Sequence, residues 1–186
     1  MSVIIMEGPD GCGKTNIGKR LAQELGWDYF KVDSEKRHWA EGKFKEALEF
    51  DQTYLVQFLE QVQCDVVIDR AYPSEFAYSA ALKRDTNMEV LREVDRKFAA
   101  LDAVIIILLR HDYSKVEDEL VLRSDLSKIH HMYWAFYSET DCRVIVMHVD
   151  DFCDDIERQM PRLLDALTRM DQDEALDNVI IMPEPM

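Results

Sequence analysis

Apolar residues in this chain fall into two alternating rhythms, short unbroken runs and runs spaced three or four apart, and that alternation predicts strands and helices in turn. Val3 to Met6 is an unbroken apolar run, three of its four residues β-branched, as a strand buried on both faces requires. Ile17, Leu21 and Leu25 follow at helical spacing, with Lys19, Arg20, Gln23 and Glu24 on the other faces, and Gly26 stops that helix. Trp27 to Val32 reads as a second, partly buried strand. After the polar stretch Asp33–His38, a long helix is expected from about Lys43 to Gln63 on Phe44, Leu48, Tyr54, Leu55, Phe58, Leu59 and Val62. Val66–Ile68 is a third strand that runs straight into Asp69 and Arg70. Pro73 suits the first turn of a helix carrying Glu75, Phe76, Tyr78 and Leu82, and Met88 to Ala99 forms another on Val90, Leu91, Val94 and Phe98. Ala103–Leu109, the most apolar run, is a central strand too short to span a bilayer. A charged segment precedes a helix on Leu126, Ile129, Tyr133, Trp134 and Tyr137, then a strand at Arg143–Val149 and a helix at Ile156–Leu167. Right-handed crossovers turn this order into an α/β three-layer sandwich, a five-stranded parallel sheet with helices on both faces. The acidic, proline-bearing tail from about 175 to 186 is expected to fray or lie on the surface.

Composition narrows the picture. The 186 residues suit a single domain, and 47% hydrophobic with 32% charged residues is ordinary for a globular chain. Twenty-two basic against 37 acidic side chains leave a net charge of −15, which favours solubility and disfavours polyanionic partners such as nucleic acid or an anionic membrane. Lys31, Lys36, Arg37, Lys43 and Lys45 form a local exception, although surface lysines at a helix start explain them as simply. Cys12, Cys64, Cys142 and Cys153 form no CxxC pair and read as reduced thiols of a cytoplasmic protein. The N-terminus has no basic region ahead of its short apolar run, so it reads as a strand and not as a signal peptide or membrane span.

The chemistry concentrates between the first strand and the first helix. Gly8, Pro9, Asp10, Gly11, Cys12, Gly13, Lys14 and Thr15 match the P-loop pattern, with the strand before it and the helix after it that the motif needs. Backbone N–H groups of such a loop wrap the phosphates of ATP, the lysine reaches the β- and γ-phosphates, and the Thr15 hydroxyl holds Mg²⁺. Helix-terminal amides could make the Cys12 thiol reactive, although a small filler residue also explains it. Asp69 and Arg70 stand at the carboxyl end of a parallel strand, where an open α/β sheet binds its ligands.

Three separated pieces resemble the thymidylate kinase branch of the P-loop nucleoside-monophosphate kinases. Glu7 to Thr15 looks like that family's E-G-x-D-G-x-G-K-T opening, and Asp69 to Tyr78 resembles its D-R-Y/F/H-x-x-S-x-x-A-Y element. The run from Asp112 through Trp134 to the final strand is similar to its lid and following helix, more weakly. The likeness extends to phage-type members, some of them acting on 5-hydroxymethyluracil in DNA, and hints at a viral origin and so a host cytoplasm. The resemblance implies that Asp10 bonds the acceptor's sugar and lies near the transferred phosphoryl, and that Asp69 joins Thr15 at Mg²⁺. It further implies that Arg70 grips the acceptor phosphate with Ser74 nearby, that Tyr78 crowds the sugar 2′ position, and that an aromatic of the long helix, Phe50, Tyr54 or Phe58, stacks on the base. It also implies a homodimer. Two departures stand out. The mobile lid expected at about 110 to 123 offers only Arg110, Lys115 and Arg123 as phosphoryl clamps, and Glu75 replaces a neutral residue.

The expected reaction is in-line transfer of the ATP γ-phosphoryl to the 5′-phosphate of dTMP or a modified pyrimidine analogue, positioned by Lys14, Mg²⁺ and Arg70. An alcohol acceptor, in a deoxynucleoside or in DNA, would need a general base from Glu7, Asp10 or Asp69. A regulatory module that binds ATP without turnover is the non-enzymatic alternative.

Overall fold

The structure is a computed structural model, described for residues 2–31, 54–114, 116, 123–149, 155–172 and 178–182. In chain order the described elements are β1 (Val3–Glu7), α1 (Lys14–Leu25), β2 (Asp28–Lys31), α2 (Val56–Val62), β3 (Val66–Asp69), α3 (Tyr72–Leu82), α4 (Met88–Ala100), β4 (Val104–Leu109), α5 (Arg123–Glu139), β5 (Arg143–His148), α6 (Asp155–Gln172) and β6 (Asn178–Ile181). The strands form one parallel sheet in the order β2-β3-β1-β4-β5-β6. β1 and β4 are buried along their whole lengths, so the unbroken apolar runs become the central strands.

Adjacent β1 residues face opposite layers, because side chains of a strand alternate. Met6 points at α1, where Gly18 leaves room for it: a methyl group on Gly18 would come within 3.1 Å of its Cγ. Glu7 points the other way and bonds to Ser74 of α3 and Tyr133 of α5. One face of the sheet therefore carries α1, with α6 beside it, and the other carries α3 packed on α5 and α4. The sandwich read from the sequence is the fold observed.

The sheet has six strands where five were expected. Asn178–Ile181 pairs in parallel with Val144–Met147, inside the stretch expected to fray. The acidic and proline residues around it hid a short apolar run whose Ile181 is 5% exposed, enough to dock a fourth pair of residues against the β5 edge. Of the long helix expected over 43–63, Val56–Val62 is helical and residues 43–53 lie outside the description. α6 runs to Gln172, past the expected Leu167, and accommodates Pro161 within it.

The register sets the site. Met6 lies beside Asp69, and Glu7 beside Ile107, so β3 ends one residue short of β1 and β4 runs two residues past it, to Leu109. The chain leaves β1 between β3 on one side and β4 on the other, the switch point at which open α/β sheets form a ligand crevice.

Candidate active site

The loop from Gly8 to Thr15 emerges at that switch point, and its glycines are required by the backbone. Gly8 has φ 134°, and a Cβ there would sit 2.2 Å from the Leu108 carbonyl oxygen of β4. Gly11 has φ 79°, and a Cβ would meet Val116 Cγ1 at 2.6 Å. Gly13, also left-handed, precedes α1, whose first internal bonds run from the Asn16 and Ile17 N–H groups to the Gly13 carbonyl at 3.0 Å. The N–H groups of Lys14 and Thr15 belong to a first turn with no intrahelical partners, a concave set of donors suited to anions. Lys14 is buried, donating to the Pro9 carbonyl at 2.7 Å and lying 3.9 Å from Asp10 Oδ1. Burial and then the charge of Arg70 push its ammonium pKa down from the ordinary value.

Asp69 and Thr15 meet, although 54 residues separate them. Thr15 Oγ1 donates to Asp69 Oδ2 at 2.6 Å, and Tyr29 of β2 donates to the same oxygen at 2.7 Å. A hydroxyl and a carboxylate oxygen side by side at a helix N-terminus fit a hard cation such as Mg²⁺, which takes few protein oxygens and completes its shell with phosphate and water. No group of three or more His, Cys, Asp or Glu side chains among the described residues could hold a metal unaided. Tyr29 was missed by the sequence reading, since a tyrosine in an edge strand gives no signal of its partner.

Arg70 is the hub of the second cluster. Its guanidinium pairs with Asp10, donates to Ser74 Oγ at 2.8 Å and to Tyr78 OH at 3.3 Å, and lies 5.4 Å from the centre of the Tyr78 ring. Tyr78 in turn donates to Asp10 Oδ2 at 2.7 Å. Burial pushes the Asp10 carboxyl upward, but the charges of Arg70 and Lys14 and the Tyr78 bond outweigh it and hold the group well below the usual carboxylate range. The Arg70 backbone has φ 72°, a left-handed conformation that costs a residue with a side chain about 1 kcal/mol.

Glu7 is entirely buried beneath this cluster. Its Oε1 accepts the Ala71 N–H at 2.7 Å, and its Oε2 accepts Ser74 Oγ at 2.6 Å and Tyr133 OH at 2.9 Å. It therefore clamps the start of α3 and has no oxygen turned toward a substrate. Burial raises its pKa even against Arg70 and the three donors. Tyr133 is fully buried and was read from the sequence only as part of an apolar helix face.

The remaining sequence candidates divide. Arg110 reaches the loop, donating from Nη1 to the Gly11 carbonyl at 2.9 Å. Tyr54 is 66% exposed at the start of α2, and Phe58 is 48% exposed. Glu75 is buried within α3 and accepts Ser79 Oγ at 2.5 Å. Cys12 is 1% exposed and burial pushes its thiol pKa up, so it is the filler and not a reactive thiol. Lys115, Lys36, Arg37, Lys43, Lys45, Phe50 and the side chain of Arg123 lie outside the described residues.

The chain and its fold have counterparts among known proteins. The model of the ATPase family associated with various cellular activities (AAA) matches residues 4–132. The chain belongs to that family. No curated protein matches this AAA-family chain. Among solved structures, thymidylate kinase from Ehrlichia chaffeensis superposes with a TM-score of 0.65 at 16% identity, over 89% of this chain and 98% of that one. The YorR protein of Bacillus subtilis, crystallised in complex with phosphorylated GDP, gives 0.57 at 22% identity, over 90% and 98%. Shikimate kinase from Bacteroides thetaiotaomicron gives 0.52 at 16% identity, over 90% and 98%. At these identities the likeness is one of fold, that of a P-loop NTPase of the kinase type. Among the described residues no helix is long and apolar enough to cross a membrane.

Proposed function

We propose that this protein is an ATP-dependent deoxynucleoside monophosphate kinase of the thymidylate kinase type. It transfers the γ-phosphoryl of ATP to the 5′-phosphate of dTMP or a modified pyrimidine analogue. The observation that carries the reading is the pairing of Arg70 with Asp10 next to Lys14: a largely buried guanidinium fork whose resting carboxylate partner an incoming phosphate can replace. A phosphate acceptor is already anionic and needs no base. Glu7, with both oxygens engaged and no exposure, cannot take a proton from a substrate hydroxyl, which further disfavours an alcohol acceptor.

In this reading the loop amides and Lys14 bind the triphosphate, and Arg70 exchanges Asp10 for the acceptor phosphate while keeping Ser74 as a second anchor. Asp10, released, accepts the sugar hydroxyl, and Tyr78 fills the space beside it. Thr15 and Asp69 would hold Mg²⁺, which when bound supplies neutralising charge to the β- and γ-phosphates. Arg110 lies close enough to the loop to join that neutralisation.

Membership of an ATPase family favours a second reading, hydrolysis of ATP with water as the acceptor. An ADP-release assay separates the two. ATP is supplied alone, then with dTMP, dUMP, dCMP, 5-hydroxymethyl-dUMP, thymidine or hydroxymethyluracil-containing DNA. Stimulation by a monophosphate with matching diphosphate formation supports the kinase, an acceptor-independent rate supports the ATPase, and turnover only with thymidine or DNA overturns the monophosphate assignment. ATP binding with no ADP from any mixture leaves the regulatory module.

A further inference from the structure

A second junction at the loop is centred on the hydroxyl of Tyr113, whose side-chain neighbours there, Cys12 and His130, are uncharged. Tyr113 is 6% exposed. Its oxygen accepts the Arg110 N–H at 3.1 Å, lies 3.1 Å from His130 Nδ1 of α5, and lies 3.7 Å from Cys12 Sγ in the phosphate loop. Trp134, one turn further along α5, donates its indole N–H to His130 Nε2 at 3.2 Å.

The direction of every bond follows from which groups can only donate. An indole N–H has no acceptor role, so His130 Nε2 carries no proton and the ring's hydrogen is on Nδ1. The His130 Nδ1–H is then shared by the Tyr113 oxygen and the Arg110 backbone, and the Arg110 N–H donates to the same phenol oxygen. Its own proton is left for Cys12 Sγ. Burial and the neighbouring His131, His148 and His111 lower the His130 pKa to about 4, which keeps the ring in this neutral form at ordinary pH.

The segment bearing Tyr113 is held in shape by local bonds. Asp112 Oδ1 accepts the Ser114 N–H and Oδ2 accepts its hydroxyl, each at 2.7 Å, and the Val116 N–H closes a turn on the Tyr113 carbonyl at 3.1 Å. Val116 packs where Gly11 lacks a side chain, and Arg110 holds the Gly11 carbonyl. Gly11 and Cys12, the two residues at the crest of the loop, are thus fixed from one side by a single short segment.

We infer that Tyr113 is a positioning residue for the donor nucleotide: its hydroxyl fixes the loop at Cys12 and links the state of that loop to His130 and Trp134 on α5. This rests on the reading of the loop as the ATP site. It does not depend on which acceptor is used.

The test is Tyr113→Phe, which removes only the hydroxyl, in a Trp27→Phe/Trp39→Phe background so that Trp134 alone emits. ATP–Mg²⁺ binding is followed by calorimetry and Trp134 emission together, and alkylation of Cys12 and Cys142 is timed by mass spectrometry without nucleotide. The expected result has several parts. ATP shifts Trp134 emission in the parent; Tyr113→Phe loses that shift while still binding at saturating ATP, and its Kd rises about tenfold with the acceptor KM unchanged. Cys12 alkylation quickens about tenfold while Cys142 does not change.

A tyrosine that merely fills the core would quicken both cysteines or neither, and would leave the emission shift intact; either result overturns the inference. If calorimetry shows no ATP bound to the parent, the nucleotide reading fails by itself. The selective change at Cys12 then decides whether the hydroxyl holds the loop. His130→Ala, which cuts the chain one link further from the loop, should give the same selective rise at Cys12 in smaller degree.

Discussion

The two sides of the phosphate loop are built from different chemistry. On one side Asp10, Arg70 and Lys14 bring full charges into a largely buried space; on the other, Cys12, Tyr113, His130 and Trp134 form a chain of neutral donors and acceptors. A buried charge pair is costly to desolvate and gains most when a ligand charge replaces one partner, so it is suited to exchange. A neutral chain in which each hydrogen has one place to go gains nothing from exchange and is suited to holding still. In the proposed reaction the loop is flanked by a part that changes partners and a part that should not.

The largest effects should fall on the charged side. Lys14→Ala is expected to lower turnover on the order of a thousandfold, and wild-type turnover by that variant would remove the loop from the chemistry altogether. Arg70→Ala should lower kcat/KM for the acceptor by about a hundredfold or more with ATP affinity little changed, and Arg70→Lys should recover only part of it because the fork is lost. An Arg70→Ala defect confined to ATP affinity would mean that the two sides have been assigned the wrong way round.

Beneath the charged side, Glu7→Gln should lower stability by about 1–3 kcal/mol, read as a fall in Tm. The new amide would have to set its NH2 against either the Ala71 N–H or the Ser74 and Tyr133 hydroxyls, groups that donate to the carboxylate it replaces. A Tm unchanged by this substitution would mean that Glu7 does not clamp α3.

The last expected effect belongs to the neutral side and concerns pH. His130 titrates near 4 in the folded chain against an ordinary 6.5. Between those values the unfolded chain takes up a proton that the folded one refuses, so stability falls as pH drops through that window and is recovered as it rises. His130→Gln should flatten the slope of Tm against pH between about 4 and 6.5. An unaltered slope would show that His130 is free to protonate and that the chain from Trp134 to Cys12 does not hold it neutral.

The charged side was legible in the sequence and the neutral side was not. Gly8 to Thr15 and Asp69–Arg70 announce themselves because few backbones need those glycines and few strands end in an unlike charge pair. Their convergence, Thr15 with Asp69 and Asp10 with Arg70, is what the register of β1 against β3 produces. Tyr113 stood in a segment read as charged lid, and Tyr133 and Trp134 stood on a face read as apolar, because the hydroxyl or indole N–H of such a ring leaves no trace in hydrophobic spacing. The sixth strand was missed for a related reason: a run of four residues between acidic and proline neighbours carries too little periodicity to be told from a tail.

One feature of the charged side reaches beyond the site. The backbone at residue 70 is wound in the sense that only glycine takes without penalty, yet it bears one of the bulkiest cations available. Arg70→Gly should therefore unfold at a higher temperature than Arg70→Ala, although both delete the same guanidinium. Gln63, Lys83 and Asp102 share that winding, but of the four only Arg70 carries its strain into the proposed site.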